Sequence, residues 1–173
     1  MQVRPATRTD LPDIAAIYNE AVLNTTASYD YEPRTWEQRV AWFEAHQEQR
    51  LPIFVAVDDE LRIAGWSSLS RYHDRKGYQF TVENSVYVAA PLRGQGVGTL
   101  LLPPLIESAQ ALGLRAIIAA IDAQNAASIR LHGRFGFVQV GHFKQVGFKF
   151  NRWLDVIYME RLLIASAEPA RHG

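Results

Sequence analysis

The stretch from Thr81 to Thr99 sets the strongest limit on what this chain can become. It reads Thr-Val-Glu-Asn-Ser-Val-Tyr-Val-Ala-Ala-Pro-Leu-Arg-Gly-Gln-Gly-Val-Gly-Thr: a strand with one acidic side chain, a glycine-rich turn, then a helix. Gly94, Gly96 and Gly98 leave an arc of backbone N–H groups uncovered by side chains. The helix that follows points its unpaired N–H groups and positive dipole end the same way, toward an anion. A P-loop would end in Gly-Lys-Ser/Thr, but Gly98 is followed by Thr99 and Leu100. A dinucleotide fingerprint would need its third glycine at position 99. What remains is a phosphate cradle of another kind, or a plain connecting turn.

At 173 residues and 48% hydrophobic content, one compact domain with an ample core is expected. Eighteen basic residues balance 18 acidic ones, so no net charge draws the chain to nucleic acid or anionic lipid. The absence of cysteine removes disulfides, thiolate metal sites and a Cys nucleophile. The five His are scattered without partners at ligand spacing, so no metal is expected. The N-terminal Met-Gln-Val-Arg-Pro lacks a signal-peptide core, and no apolar run approaches transmembrane length. A cytoplasmic protein is the expectation.

Residues 3–6 suit a first strand, after which Thr9 caps a helix with Leu11, Ile14, Tyr18, Ala21 and Val22 on its apolar face. Pro12 falls in the first turn, where a missing N–H is harmless. Residues 24–33 read as an irregular aromatic loop. Thr35 and Gln38 have capping-box spacing before a helix with Trp36, Val40 and Phe43 on one side. These two helices could form a lid over a pocket or plain surface packing. Residues 53–57 and 61–69 form a hairpin about the turn Asp58-Asp59-Glu60, and 71–76 is a polar loop.

The helix after Gly98 buries Val97, Leu101, Leu105, Ala109 and Leu112, is expected to kink at Pro103-Pro104, and closes at Gly113. Residues 115–121 form a buried strand, so strand, helix and strand make a βαβ unit with parallel strands. Asn125 caps a further helix that stops at Gly136, and 137–147 with 149–161 read as a final hairpin. The domain spans 1–165, and 166–173 has the composition of a frayed tail.

Three segments in this order carry a resemblance. The loop Arg93-Gly94-Gln95-Gly96-Val97-Gly98 resembles the pyrophosphate loop of the GCN5-related N-acetyltransferases (GNAT family). Asn125-Ala126-Ala127-Ser128-Ile129-Arg130-Leu131-His132, followed by Phe135-Gly136-Phe137, is similar to that family's Asn-capped helix ending in Gly-Phe. Residues 81–88 resemble the Thr-Val-Glu segment of its phosphinothricin acetyltransferases. The likeness runs from residues 17–22 to 149–155, nearest to bacterial enzymes acting on methionine sulfoximine and methionine sulfone. It implies a single-domain α/β (α+β) fold: a mixed, mostly antiparallel sheet with a parallel βαβ at the cofactor site, flanked by helices. It also implies acetyl-CoA as co-substrate, a small amino-acid acceptor and a homodimer.

Acetyl transfer from a thioester to an amine needs a base, an oxyanion donor and a proton for the leaving thiolate. Glu83 is the candidate base, acting directly or through a water, since a partly apolar cleft would raise its pKa into a useful range. The resemblance implies that Val86, Tyr87 and Val88 lie along the pantetheine, with an N–H near Val88 as oxyanion donor. It assigns Gly94, Gln95, Gly96, Val97, Gly98 and Thr99 to the pyrophosphate, with Arg93 at its edge, and Asn125 and Ser128 to the pantetheine arm. His132 stands where many relatives carry a Tyr, and either protonates the thiolate or hydrogen-bonds within the cleft wall.

For the acceptor, Arg75 offers a fork suited to a carboxylate and Tyr78 a hydroxyl. His73, Lys76, Gly77, Tyr29 and Val86 complete the implied lining. His73 replaces a lysine of the phosphinothricin-specific enzymes. Arg75→Ala is expected to raise the amine KM strongly and leave acetyl-CoA binding unchanged. Two other readings stand beside this one: acetylation of a peptide or protein N-terminus, and an acyl-CoA-binding sensor that has lost the chemistry.

Overall fold

In the computed structural model, residues 1–163 are described. Seven strands form one sheet in the order β1-β2-β3-β4-β5-β7-β6. They are β1 (Gln2–Pro5), β2 (Ile53–Val57), β3 (Ile63–Arg71), β4 (Thr81–Val88), β5 (Ala116–Asp122), β6 (Val138–Lys149) and β7 (Arg152–Leu162). Only β4 and β5 pair in parallel; every other neighbouring pair is antiparallel. Four helices flank the sheet: α1 (Leu11–Asn24), α2 (Trp36–Gln49), α3 (Val97–Ala111) and α4 (Ala126–Arg134). The chain is thus a mixed α/β domain with one βαβ unit. No described helix is long and apolar enough to cross a membrane.

Alternation along the strands sorts the core into two layers. Ile53, Val55, Val57 and Trp66 pack under α1 and α2 with Leu11, Ile14 and Phe43. Leu69, Val82, Ile117, Ala119 and Met159 pack on the other face against Leu102, Leu105, Ile106 and Ala109 of α3. Ser67, fully buried, donates its Oγ–H to the Leu101 carbonyl of α3 at 3.1 Å.

Several boundaries move from the expected ones. The turn into α1 is organised by Thr7 rather than Thr9: the buried Asp10 carboxylate accepts from the Thr7 N–H at 2.7 Å and pairs with Arg4. The Thr35–Gln38 box is formed in both directions, but Trp36 is 49% exposed and α2 buries Arg39, Phe43 and His46 instead. Leu61 sits in the β2–β3 turn at φ 63°, so β3 starts two residues later. Pro103 and Pro104 do not end α3, which begins at Val97, within the glycine stretch.

The last hairpin turns at Phe150-Asn151 and not at 148. Both residues take left-handed φ values of 51° and 57°, the geometry of a two-residue type I′ turn. Gly147, just before this turn, serves packing: a Cβ there would overlap the Tyr29 ring. The expected tail, 166–173, lies outside the described residues.

Candidate active site

The site begins where two strands part. The β4–β5 ladder runs only from Thr81↔Ala116 to Glu83↔Ile118, while β4 stays paired with β3 up to Val88↔Gly65. Ala89 donates its N–H to the Ala64 carbonyl at 2.9 Å. In an antiparallel ladder such bonding residues alternate, so the backbone groups of Val86 and Val88 face away from β3, into the opening. Arg93 Nε reaches the Val88 carbonyl from that side at 3.2 Å.

This opening is one end of a groove of about 840 Å³. Its walls are Ala21 and Thr25–Ala27 on one side, Val86–Val88 along the floor, and the glycine loop with Asn125, Ser128, Arg130 and Arg134 on the other. Gly94 and Gly96 hold left-handed φ values of 78° and 87°, which other residues adopt only with strain. The Gln95 N–H bonds to the Leu92 carbonyl and the Thr99 N–H to that of Gly96. The amides left without a backbone partner among the described residues are those of Gly94, Gly96, Val97 and Gly98. Together with the positive end of the α3 dipole they give this end of the groove the donors an anion needs.

Two side chains of this loop are engaged in ways the sequence did not show. Gln95 does not line the groove; its side-chain amide donates to the Pro91 carbonyl at 2.9 Å. Arg93 lines the groove but is ion-paired with Glu20 of α1, bracing the loop against that helix. Gly98 keeps its amide unpartnered and also lies close against α4, where a Cβ would come 2.8 Å from the end of the Leu131 side chain. Asn125 caps α4, its Oδ1 accepting the Ser128 N–H at 3.1 Å.

A second, smaller cavity of about 340 Å³ continues from the first; the two share Thr26, Ala27, Val86, Tyr87, Asn125 and Ser128. Glu83 lines it and takes part in no side-chain hydrogen bond or ion pair among the described residues. Burial pushes its carboxyl pKa up. Tyr158 lies close enough for the Glu83 charge, together with burial, to raise its own pKa. Tyr29 forms another wall, its hydroxyl donating to Asp122 Oδ2 at 3.0 Å and to the Asp155 carbonyl at 3.2 Å.

His132 is 3% exposed and held at both ring nitrogens. Nδ1 lies 2.8 Å from the Ser128 carbonyl and Nε2 2.9 Å from the side-chain amide of Asn84. A carbonyl beside Nδ1 requires a proton there, so in the neutral ring Nε2 accepts from Asn84. Burial lowers the ring's pKa, partly opposed by the Ser128 carbonyl.

The 73–78 loop does not enter either cavity. His73, Arg75, Lys76, Gly77 and Tyr78 are all exposed. The loop joins β3 to β4 just beyond the pairs Ser70↔Glu83 and Arg71↔Val82, so it leaves the sheet at the end next to Glu83, at the rim of the smaller cavity. Sequence reasoning missed Asn84, Asp122 and Tyr158, and the groove residues Arg130 and Arg134. For the two arginines a signal existed: they lie one and two turns along the Asn125-capped helix, on the side facing the loop.

The Acetyltransferase (GNAT) family model matches residues 14–137. An L-methionine sulfoximine/L-methionine sulfone acetyltransferase of Pseudomonas paraeruginosa is 48% identical over 158 residues, 91% of this chain and 92% of that protein. A phosphinothricin N-acetyltransferase of Streptomyces coelicolor is 40% identical over 165 residues, 94% of this chain and 96% of the relative. A crystal structure of a GNAT superfamily phosphinothricin acetyltransferase from Sinorhizobium meliloti, in complex with AcCoA, superposes with a TM-score of 0.91 at 37% identity. That match covers 94% of this chain and 88% of the other. Parted strands, glycine loop and matching relatives agree, and the chain belongs to the GNAT acetyltransferase family.

Proposed function

We propose that the protein transfers the acetyl group of acetyl-CoA to the α-amine of a small amino-acid analogue of the methionine sulfoximine, methionine sulfone or phosphinothricin type. The observation that carries this reading is Glu83: a carboxylate without a partner among the described residues, in a small cavity that opens onto the backbone groove. A buried carboxylate with a raised pKa and no ion pair is poised to take a proton.

In this reading the diphosphate of acetyl-CoA lies on the Gly94, Gly96, Val97 and Gly98 amides, and the pantetheine runs along Val86–Val88 where β5 has left β4. Arg130 and Arg134 offer charge to the 3′-phosphate end. The amine, relieved of its proton by Glu83 directly or through one water, attacks the thioester carbonyl; the C–N bond forms, the C–S bond breaks, and the thiolate leaves with the proton that the attacking nitrogen sheds. The Val88 N–H, facing the opening, stabilises the oxygen as it gains charge. His132, neutral and bonded at both nitrogens, holds Asn84 and the start of α4 in place. Tyr29 and Tyr158 flank the acceptor side chain, and Arg75 at the rim meets its carboxylate.

The same reading makes the protein a cytoplasmic homodimer. Val138, Val140, Phe143, Phe148 and Trp153 are exposed apolar side chains on β6 and β7, at the edge of the sheet where a second copy could dock.

Thiol release from acetyl-CoA tests the proposal, with methionine sulfoximine, methionine sulfone, phosphinothricin, free amino acids and an N-terminal peptide as acceptors. Turnover of the analogues above the peptide supports it. Preference for the peptide, or acetyl-CoA binding without turnover of any acceptor, would replace it by one of the two other readings.

A further inference from the structure

One side chain of β6 is unusual for where it lies. Lys149 is 4% exposed. Its ammonium donates to three carbonyl oxygens: Val22 at 2.7 Å, Thr25 at 2.9 Å and Ser28 at 2.6 Å. A buried ammonium is costly unless its donors are met, and here three donors find three acceptors. The acceptors share a location. α1 ends at Asn24 with no basic residue in its last turn, so its terminal carbonyls lack the cation that usually accompanies them. Lys149 supplies it from 127 positions away.

The segment held this way is the wall of the site. Thr25, Thr26 and Ala27 line the groove, and Thr26–Tyr29 line the acceptor cavity. The neighbours of Lys149 hold the same segment: the Phe148 carbonyl accepts from the Tyr31 hydroxyl, and Gly147 leaves room for the Tyr29 ring. The left-handed turn at Phe150-Asn151 anchors this end of β6 on β7, with Lys149 opposite Arg152.

We propose that Lys149 is a positioning residue for the acceptor site: its ammonium fixes the end of α1 and the 25–29 wall, and so sets affinity for the amine without touching it. The kinetic part rests on the function proposed above; the structural part does not. The two can be tested separately.

In Lys149→Met the side chain stays unbranched, ends one atom short and loses its donors. The amine KM is expected to rise about ten-fold or more, and the acetyl-CoA KM to stay within about two-fold, since the glycine loop is untouched. Amide hydrogen exchange over 25–31 should accelerate while that of β5 does not. Because the chain has no cysteine, Lys149→Cys is a unique thiol. Alkylated with 2-bromoethylamine in denaturant and refolded, it regains an ammonium at lysine length; alkylated with 1-bromopropane, it carries a neutral group of the same shape. The aminoethyl protein should recover the amine KM to within about three-fold and the propyl protein should not.

Equal KM for the two alkylated proteins overturns the proposal, as does exchange over 25–31 that ignores the charge. So does a parallel rise of both substrates' KM, or folding of the aminoethyl protein alone, since either makes the ammonium a requirement of the whole fold. If wild type turns over no amine, the proposed function fails while the exchange comparison still decides the role of Lys149.

Discussion

The two cavities of this site are built from different materials. The coenzyme groove is mostly main chain: four amides of a glycine loop and the edge of β4 left bare where β5 departs. The acceptor cavity is mostly side chain, with Glu83, Tyr29, His132 and Tyr158 arriving from four separate elements. In the function proposed above, the groove of amides meets what every acetyl-CoA molecule shares, and its geometry is set by local φ values. A pocket of side chains can be retuned one residue at a time without disturbing the groove. The two should therefore fail independently, and each variant below tests that separation.

The largest effect is expected at Glu83. Glu83→Gln keeps the shape and removes the base, so kcat should fall by about 10²- to 10⁴-fold, with the acetyl-CoA KM unchanged. The pH dependence fixes the role. Burial raises the Glu83 pKa, and the base must be ionised to act. The acid limb of kcat/KM should therefore lie above the ordinary carboxylate range in wild type and vanish in the variant. Stability gives an independent sign. The folded state binds this proton more tightly than the unfolded one, so stability is lost as pH rises from the unfolded pKa through the raised folded one. The Gln variant should gain Tm over wild type across that interval and match it in more acidic solution. Unchanged turnover, or a Tm difference independent of pH, would remove Glu83 from the mechanism.

How much of this was legible in the sequence follows the same division. The individual strands, the parallel β4–β5 pair, the glycine turn and the cap at Asn125 rest on local signals, namely strand alternation, glycine spacing and capping residues, and all four are formed. Yet Gly98 and Gly147 carry no mark distinguishing a glycine that frees an amide from one that admits a neighbour's side chain. Leu131 and Tyr29 decide that, and both are distant in sequence. His132 was legible as a candidate, but the partners that occupy its two nitrogens become visible only when α4 packs on β4. Lys149 was visible only as the start of the 149–155 segment within the likeness; that its ammonium is buried against the end of α1 depends on contacts more than 120 positions away.

On the groove side, Gly96 gives the next largest effect. Its φ is 87° and a Cβ would meet nothing within 4 Å, so Gly96→Ala introduces conformational strain without a clash. Holding alanine there costs about 1–2 kcal/mol. If the loop relaxes to escape that cost, the cradle distorts and the acetyl-CoA KM rises by about ten-fold. The amine KM and the acid limb set by Glu83 should stay as in wild type. A matching rise in both KM values would mean that groove and pocket are mechanically one unit.

The smallest effect is expected at Arg75, and it is the sharpest test of where the pocket ends. A buried Arg–carboxylate contact would be worth about 1.5–3 kcal/mol, but Arg75 is exposed on a loop that lines neither cavity. A rim contact of that kind is worth about 1 kcal/mol or less, so Arg75→Ala should raise the amine KM by only about three- to five-fold, less at high salt. The acetyl-CoA KM should not move. A loss of a hundred-fold or more would mean that the 73–78 loop folds over a bound substrate, turning the acceptor site from an open cavity into a closed one. No change at all would confine recognition of the amino acid to residues already facing Glu83.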